Sequence, residues 1–284
     1  MSMTTTGTST PAMSVFWDNV KTILYALALA MVLRFTIAQP FRIPSGSMQP
    51  TLEVGDYIVV TKWSYGYGRF SFAPLEGLLP HGRLFGSQPE RGDVVVFRGP
   101  GERDNVDFIK RAIGLPGDVI SMKEGVLQIN GTPVKREKMA DWLLPVTENM
   151  RDATALEGGS SPCWRAEFEE KLAGGDVRCR YRRFKETLPN GRSYESLDIA
   201  DGQQVDDIEP IVVPEGQLLM MGDNRDRSAD SRQPDNGVWI GLIPIENVVG
   251  RAQVMMFSTD GTARWLLPWT WLSATRWDRI GGGF

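Results

Sequence analysis

Histidine and cysteine are nearly missing from this chain of 284 residues: it has one histidine, His81, and two cysteines, Cys163 and Cys179. A zinc site with three or four His/Cys ligands therefore cannot be assembled without carboxylates. A histidine-based hydrolytic triad would have to use His81 itself. No glycine-rich loop of either nucleotide-binding type is present. An excess of positive charge is missing too. Lysine plus arginine number 31 against 35 aspartates plus glutamates, a net charge of −4. This excludes a general nucleic-acid binder, which needs a concentrated basic surface to release phosphate counterions. With 42% apolar and 23% charged residues, the composition is that of a folded chain. Its length suits one large domain or two modest ones.

Long apolar runs are confined to one place. Residues 1–15 carry no charged side chain and cluster threonine and serine, so residues 1–19 are expected to be a flexible tail. Residues 20–38, VKTILYALALAMVLRFTIA, would span about 28 Å as a helix, close to the hydrocarbon thickness of a bilayer. Lys21 and Arg34 lie near the ends of the run, where their stems can snorkel, and Gln39-Pro40 stops the helix. Three readings are open: a membrane anchor, a secretory peptide cleaved after Thr36-Ile37-Ala38, and a buried amphipathic helix. With Lys21 on one side and Arg34 and Arg42 on the other, the positive-inside count does not decide orientation.

After Pro40 the chain breaks into short β-branched and aromatic runs at residues 57–63, 94–97, 106–113, 126–129, 211–213, 218–221, 238–243 and 252–257. Gly114-Leu115-Pro116-Gly117-Asp118 reads as a turn. Asn130-Gly131 reads as a hairpin with a strand resuming near Pro133 and Val134. Helical periodicity is convincing only in residues 20–38. The expected fold class is mainly β: a transmembrane helix, then a β-rich body from residues 39–113 and 213–260. A smaller β domain is inserted at 114–212, and a tryptophan-rich tail follows at 261–284. Residues 135–210 are charged and turn-rich, and a few dozen of them are expected to be loop. They hold Cys163 and Cys179, 16 positions apart. If exported, that pair can form a disulfide; two free cysteines in a core are the alternative. Trp265, Trp269, Trp271 and Trp277 in the tail suit either a membrane interface or a patch packed on the β body.

Lys110 shares one face of an expected strand with Val106, Phe108 and Ala112. Burial among them disfavours the ammonium form, so the amine can take a proton near neutral pH. Ser47, in the turn Pro44-Ser45-Gly46-Ser47, is the matching nucleophile. A serine hydroxyl needs a base, and a desolvated lysine serves without histidine. Ser45 and the Ser47 N–H can face the oxygen that becomes charged on acyl attack. Each stretch alone is also an ordinary turn or strand edge.

Taken together, FRIPSGSMQPTLEVGDYIVV, RGDVVVF, DFIKRAIGLPGD, VVPEGQLLMMGDNRDRSADSR and VGRA, in this order behind an apolar segment, closely resemble the membrane-bound bacterial type I signal peptidases, serine–lysine proteases. The resemblance implies Ser47 as nucleophile and Lys110 as general base. It implies Ser45 beside Ser47 in the oxyanion hole, and Ser228 orienting the lysine amine. Gly222, Asp223, Asn224, Arg225 and Asp226 match the stretch that buttresses the site; Arg111, Asp230 and Arg232 match supporting charged positions. Phe41, Ile43, Met48, Leu52, Val96, Phe108 and Ile109 match positions lining shallow subsites for small residues. The resemblance implies no metal or organic cofactor. Its partners would be exported preproteins, membrane lipid and the nearby export machinery. It also implies a cytoplasmic N-terminus and a periplasmic body at the inner membrane. A specialised processing peptidase and an anchored β scaffold are the alternative functions. Arg227 departs from the commonest pattern, as does the longer link Gln233-Pro234-Asp235-Asn236. Residues 135–210 and the tail match none of these stretches.

Overall fold

A computed structural model describes residues 12–72, 82–103, 105–156, 158–234, 236, 238–264 and 266–284. Its first element is helix α1, Ala12–Thr36. The helix begins within the segment expected to be a flexible tail and ends before Ala38, earlier than expected. No proline or glycine interrupts residues 12–36, so nothing stops the helix from extending toward the N-terminus. At its other end the sheet captures the chain before Pro40 is reached. Lys62 N–H donates to the Ile37 carbonyl at 3.1 Å, and Tyr67 Oη to that of Thr36 at 2.7 Å. Within α1, Ser14–Arg34 is long and apolar enough to cross a membrane, and none of it is buried.

Seven strands form the main sheet: β1 (Ala38–Arg42), β2 (Asp56–Thr61), β3 (Val94–Arg98), β4 (Asp107–Gly114), β5 (Gln217–Met221), β6 (Ile243–Pro244) and β7 (Val248–Ser258). Their order is β1-β2-β7-β3-β4-β5-β6, and every neighbouring pair is antiparallel. Prolines mark both edges, Pro40 in β1 and Pro244 in β6, where an absent N–H does least harm to the ladder. The apolar run in β3 follows from its central place. Val94 and Val96 pack with Ile43, Met48, Leu52 and Ile58, while Val95 and Phe97 pack with Ala112, Leu218 and Met220. A strand buried on both faces loses the usual alternation.

The expected strand at 238–243 shrinks to Ile243–Pro244. Asn236 Oδ1 accepts the Val238 and Trp239 amides at 3.1 and 3.0 Å. These are the groups a ladder would need.

Beyond β4 a four-stranded sheet joins Ile208–Val212, Val119–Lys123, Val126–Ile129 and Thr132–Pro133 in that order. Asn130 and Gly131 turn its hairpin with φ of 52° and 75°, as a two-residue loop of this type requires. Residues 135–210 build two small sheets and a helix, with a few dozen residues in the turns and loops between them, as expected. Lys135–Lys138, Arg183–Thr187 and Ser193–Leu197 form one three-stranded sheet; Trp142–Pro145, Val177–Tyr181 and Glu169–Lys171 form another. A helix the sequence reading missed, α2 (Glu148–Leu156), falls between the strands Trp142–Pro145 and Glu169–Lys171 of the second sheet. Thr147 Oγ1 caps it, accepting the Met150 amide at 3.3 Å. Leu144, Met150, Tyr181 and Leu197 make the local core, and Cys163 and Cys179 lie within it, joined by a disulfide.

The tail folds back on the sheet. Arg276 N–H donates to the Ser258 carbonyl at 3.0 Å, and the Arg276 and Arg279 guanidinium groups clamp Glu53 and Asp56 at 2.6–3.0 Å. The short helix α3 (Trp269–Ala274) nevertheless leaves Trp269, Leu272 and, just beyond it, Trp277 exposed. Trp265 lies outside the described residues.

Candidate active site

Ser47 sits in a tight turn held by its own backbone, with Gln49 N–H donating to the Gly46 carbonyl at 3.2 Å and Leu52 N–H to that of Met48 at 2.9 Å. The stretch after β5 pins the same turn from outside. Asn224 N–H donates to the Ser47 carbonyl at 3.1 Å, and Asn224 Nδ2 to that of Gly46 at 3.2 Å. Lys110 stands in β4. Its Nζ donates to Ser47 Oγ at 2.6 Å, and Ser45 Oγ lies 3.5 Å from the same oxygen.

Lys110 is only 4% exposed. Burial pulls its amine down to about 8; Asp230 and Asp223 oppose the shift and Arg232 adds to it. The wall differs from the expected one. Val106 lies before the strand begins and is 45% exposed. Register instead sets Val95 opposite Lys110, and Met220 opposite Ala112 on the same face.

Buried ion pairs surround this contact. Arg111 grips Asp223 through Nε at 2.8 Å and Nη2 at 2.6 Å, and Nη1 reaches the Gly92 carbonyl at 2.8 Å. Thr51 Oγ1 donates to Asp223 Oδ2 at 2.5 Å. Asp230 accepts Arg232 Nε at 2.8 Å and the Gly222 amide at 2.9 Å. Burial is the strongest single push and raises the Asp230 carboxyl, but Arg232 and the hydrogen bonds donated to the carboxylate together outweigh it and the net shift is downward. Arg225 turns instead to Glu186 at 2.7 Å and to Tyr194 Oη at 2.8 Å. Asp226 Oδ2 accepts the Ile199 and Ala200 amides at 2.5 and 3.0 Å.

Gly222 is required for space. A Cβ there would stand 2.2 Å from Ser228 Oγ and 2.5 Å from the Ser47 carbonyl oxygen. Ser228 is thus packed into the site, but its buried hydroxyl makes no hydrogen bond to Lys110 here. Arg227 lies beside the Tyr181 phenol rather than among the charges acting on Lys110.

The expected subsite residues divide. Phe41, Ile43, Met48, Leu52, Val96 and Ile109 belong to one cluster, whereas Phe108 stacks on Phe97 in another, ring centroids 6.0 Å apart. Ile43, Met48, Leu52 and Val96 are buried in the core. Phe41 and Ile109 are the half-buried members packed against them. Thr51, Glu186 and Tyr194 were not anticipated as site residues. Thr51 stands in the serine stretch, but no local motif marks Glu186 or Tyr194. His81 lies outside the described residues. Asp198, Asp206 and Asp226 bring carboxylate oxygens within 4.8 Å of one another. Asp198 is paired with Arg136 and Arg182, and Asp206 Oδ2 and Asp226 Oδ2 accept backbone amides, while Asp226 Oδ1 is buried without a hydrogen-bond partner.

One apolar helix long enough to cross a membrane thus leads into a mainly β body in which a buried lysine touches a turn serine, the outline of a membrane-anchored β enzyme. The family model described as "Signal peptidase, peptidase S26" matches residues 16–257. Signal peptidase I of Rickettsia typhi (strain ATCC VR-144 / Wilmington) is 37% identical over 245 residues, covering 84% of this chain and 79% of that protein. That of Rickettsia canadensis (strain McKiel) is 37% identical over 249 residues, covering 85% and 80%. A crystal structure of a signal peptidase I from Enterococcus faecalis V583 is 23% identical, covers 58% of this chain and 97% of its own, and superposes with a TM-score of 0.28. The chain belongs to the signal peptidase family, peptidase S26.

Proposed function

We propose that this peptidase removes signal peptides from exported precursor proteins, with Ser47 as nucleophile and Lys110 as general base. The observation that carries the reading is the 2.6 Å contact between Lys110 Nζ and Ser47 Oγ, made by a lysine whose burial disfavours its charged form. In the neutral amine the lone pair faces the hydroxyl, so Ser47 donates and Lys110 accepts. As Ser47 Oγ bonds to the scissile carbonyl carbon, its proton passes to Lys110. The carbonyl oxygen becomes an anion near Ser45 Oγ and the Ser47 N–H. Collapse breaks the carbon–nitrogen bond, and Lys110 returns the proton to the leaving amine, freeing the mature chain. Water then attacks the acyl carbonyl carbon, giving a proton to Lys110; the ester carbon–oxygen bond breaks, Lys110 passes that proton to Ser47 Oγ, and the signal peptide leaves as its carboxylate. Ser228, packed against Gly222, orients the amine as it moves between these partners.

The cleaved bond follows a small residue, with another small residue three positions back. Phe41 and Ile109 offer a shallow apolar surface over a filled floor, on which larger side chains would not seat. The apolar helix fits a membrane-anchored enzyme. On this reading its N-terminus is cytoplasmic, and the body works on the periplasmic side near the export machinery and the lipid surface.

The test is incubation of the detergent-solubilised protein with a precursor, followed by mass analysis of the products. Wild type should yield one cut after a small residue. Ser47→Ala and Lys110→Ala should each abolish it, and the double variant should be scarcely worse than either. Cleavage near the wild-type rate by either single variant would overturn the assignment.

A further inference from the structure

We propose that Glu186 and Tyr194, which no short motif in the sequence marks, are positioning residues that hold the two halves of the Ser47–Lys110 site in register. The proposal rests on the serine–lysine reading above.

Glu186 is a buried carboxylate with three donors: Tyr194 Oη, Ser196 Oγ and Arg225 Nη2, each at 2.7 Å. Tyr194 Oη in turn accepts from Arg225 Nη2 at 2.8 Å. Carboxylate, phenol and guanidinium thus close a triangle. Burial pushes the Glu186 carboxyl up, but Arg225 and the two hydroxyls outweigh it and hold it below its ordinary value. The carboxylate therefore stays ionised and its geometry is fixed by charge-assisted bonds.

Two arms lead from the triangle to the site. In one, Arg225 Nε donates to the Gly222 carbonyl at 3.2 Å, while the Gly222 amide is held by Asp230 at 2.9 Å. That peptide is the surface on which Ser228 and the Ser47 carbonyl rest without room for a methyl group. In the other, the Tyr194 ring lies 4.4 Å from the Arg111 guanidinium. Arg111 follows Lys110 in β4 and grips Asp223. The strands Arg183–Thr187 and Ser193–Leu197 therefore brace both the loop under the nucleophile and the strand bearing the base. Displacement of a reacting group by about 1 Å costs on the order of 100-fold in rate, so an indirect brace can matter to catalysis.

The experiment uses the full-length protein in detergent with a signal-sequence peptide. Competent sites are counted by a serine-directed acylating probe, so that kcat refers to folded enzyme. Glu186→Gln should lower kcat about 10-fold to 100-fold with KM changed less than about twofold. The pH midpoint of kcat/KM should also fall. Losing the anion leaves Arg225 compensated chiefly by Asp223, one of the two carboxylates that favour the Lys110 ammonium, and so weakens that support. Glu186→Gln/Arg225→Gln, which removes both charges, should return the midpoint toward wild type. Tyr194→Phe keeps the ring over Arg111 and should lose about 3-fold to 10-fold in kcat. It decides the matter if Glu186→Gln does not fold. A per-site kcat and midpoint equal to wild type, with only the melting temperature reduced, would overturn the proposal. Ser47→Ala serves as the control. If it is inactive while Glu186→Gln and Tyr194→Phe behave as wild type, only the brace fails. If it still cleaves, the serine–lysine reading fails first.

Discussion

Burial of a single amine sets the working range of the proposed chemistry. With its proton affinity brought down to about 8, Lys110 is about one-tenth neutral at pH 7 and mostly neutral above pH 9. Only the neutral form accepts a proton, so kcat/KM on a short signal-sequence peptide should rise about tenfold from pH 7 upward and level off past pH 9. Rates measured from pH 6 to 10 check this; a flat profile would remove lysine deprotonation as the activating event. Ser47 and Lys110 were legible because each lies in a distinctive stretch and the lysine's apolar strand hints at desolvation. Glu186 and Tyr194 were not, since their partner Arg225 is 39 and 31 positions away and nothing around them departs from ordinary strand sequence. The burial of four expected subsite residues was not legible for another reason. Apolar identity says that Met48 and Leu52 avoid water, not whether they wall a groove or lie beneath it.

Elements were legible where period and turn chemistry agreed. The hairpin at Asn130-Gly131 and the strands β2 to β5 fall within a few residues of expectation. The segment 135–210 hid its strands because charged residues pair across them, as Arg178 does with Glu170 at 2.8 Å, and so mask the apolar alternation. Its disulfide closes a loop with a sequence separation of 16, worth about 3 kcal/mol of stability. Replacing both cysteines with serine should lower the thermal midpoint by several degrees and leave the cut site unchanged. Calorimetry with and without reductant checks this, and a reductant-insensitive wild type would contradict it. The tail combines the two readings of its tryptophans: Arg276 and Arg279 tie it down, yet Trp269 and Trp277 stay exposed. Trp269→Ser/Trp277→Ser should depress processing of a precursor embedded in liposomes more than cleavage of a soluble peptide. Equal loss on both substrates would mean that these rings serve packing alone.

At the scale of the whole molecule, buried carboxylates make the fold acid-sensitive. Glu186, Asp230 and Asp118 are all held below their ordinary values, each against the upward push of burial, chiefly by Arg225, Arg232 and Arg91 respectively. The unfolded chain takes up protons on these groups first as pH falls. Their contribution is complete above the unfolded carboxylate range near pH 4 and is lost as pH drops through the folded values. Glu53, Asp206 and Asp226, each raised chiefly by burial, work in the opposite sense and offset part of this loss. The thermal midpoint should therefore fall between pH 5 and 3; a midpoint constant across that interval would contradict the balance.

The strand order also carries a timetable. β7 is made last of the seven strands but lies between β2 and β3, and Asn224 and Asp230, which tie the serine turn and the Gly222 peptide, follow β5. A ribosome delivers Ser47 and Lys110 long before any of these. Until the later segments arrive, Lys110 sits on an incomplete sheet and remains an ordinary hydrated ammonium that cannot accept a proton. The growing chain should therefore, on the proposed function, be catalytically silent until the late strands close the sheet. On the proposed function, a peptidase that processes chains in transit is inactive while it is itself a chain in transit.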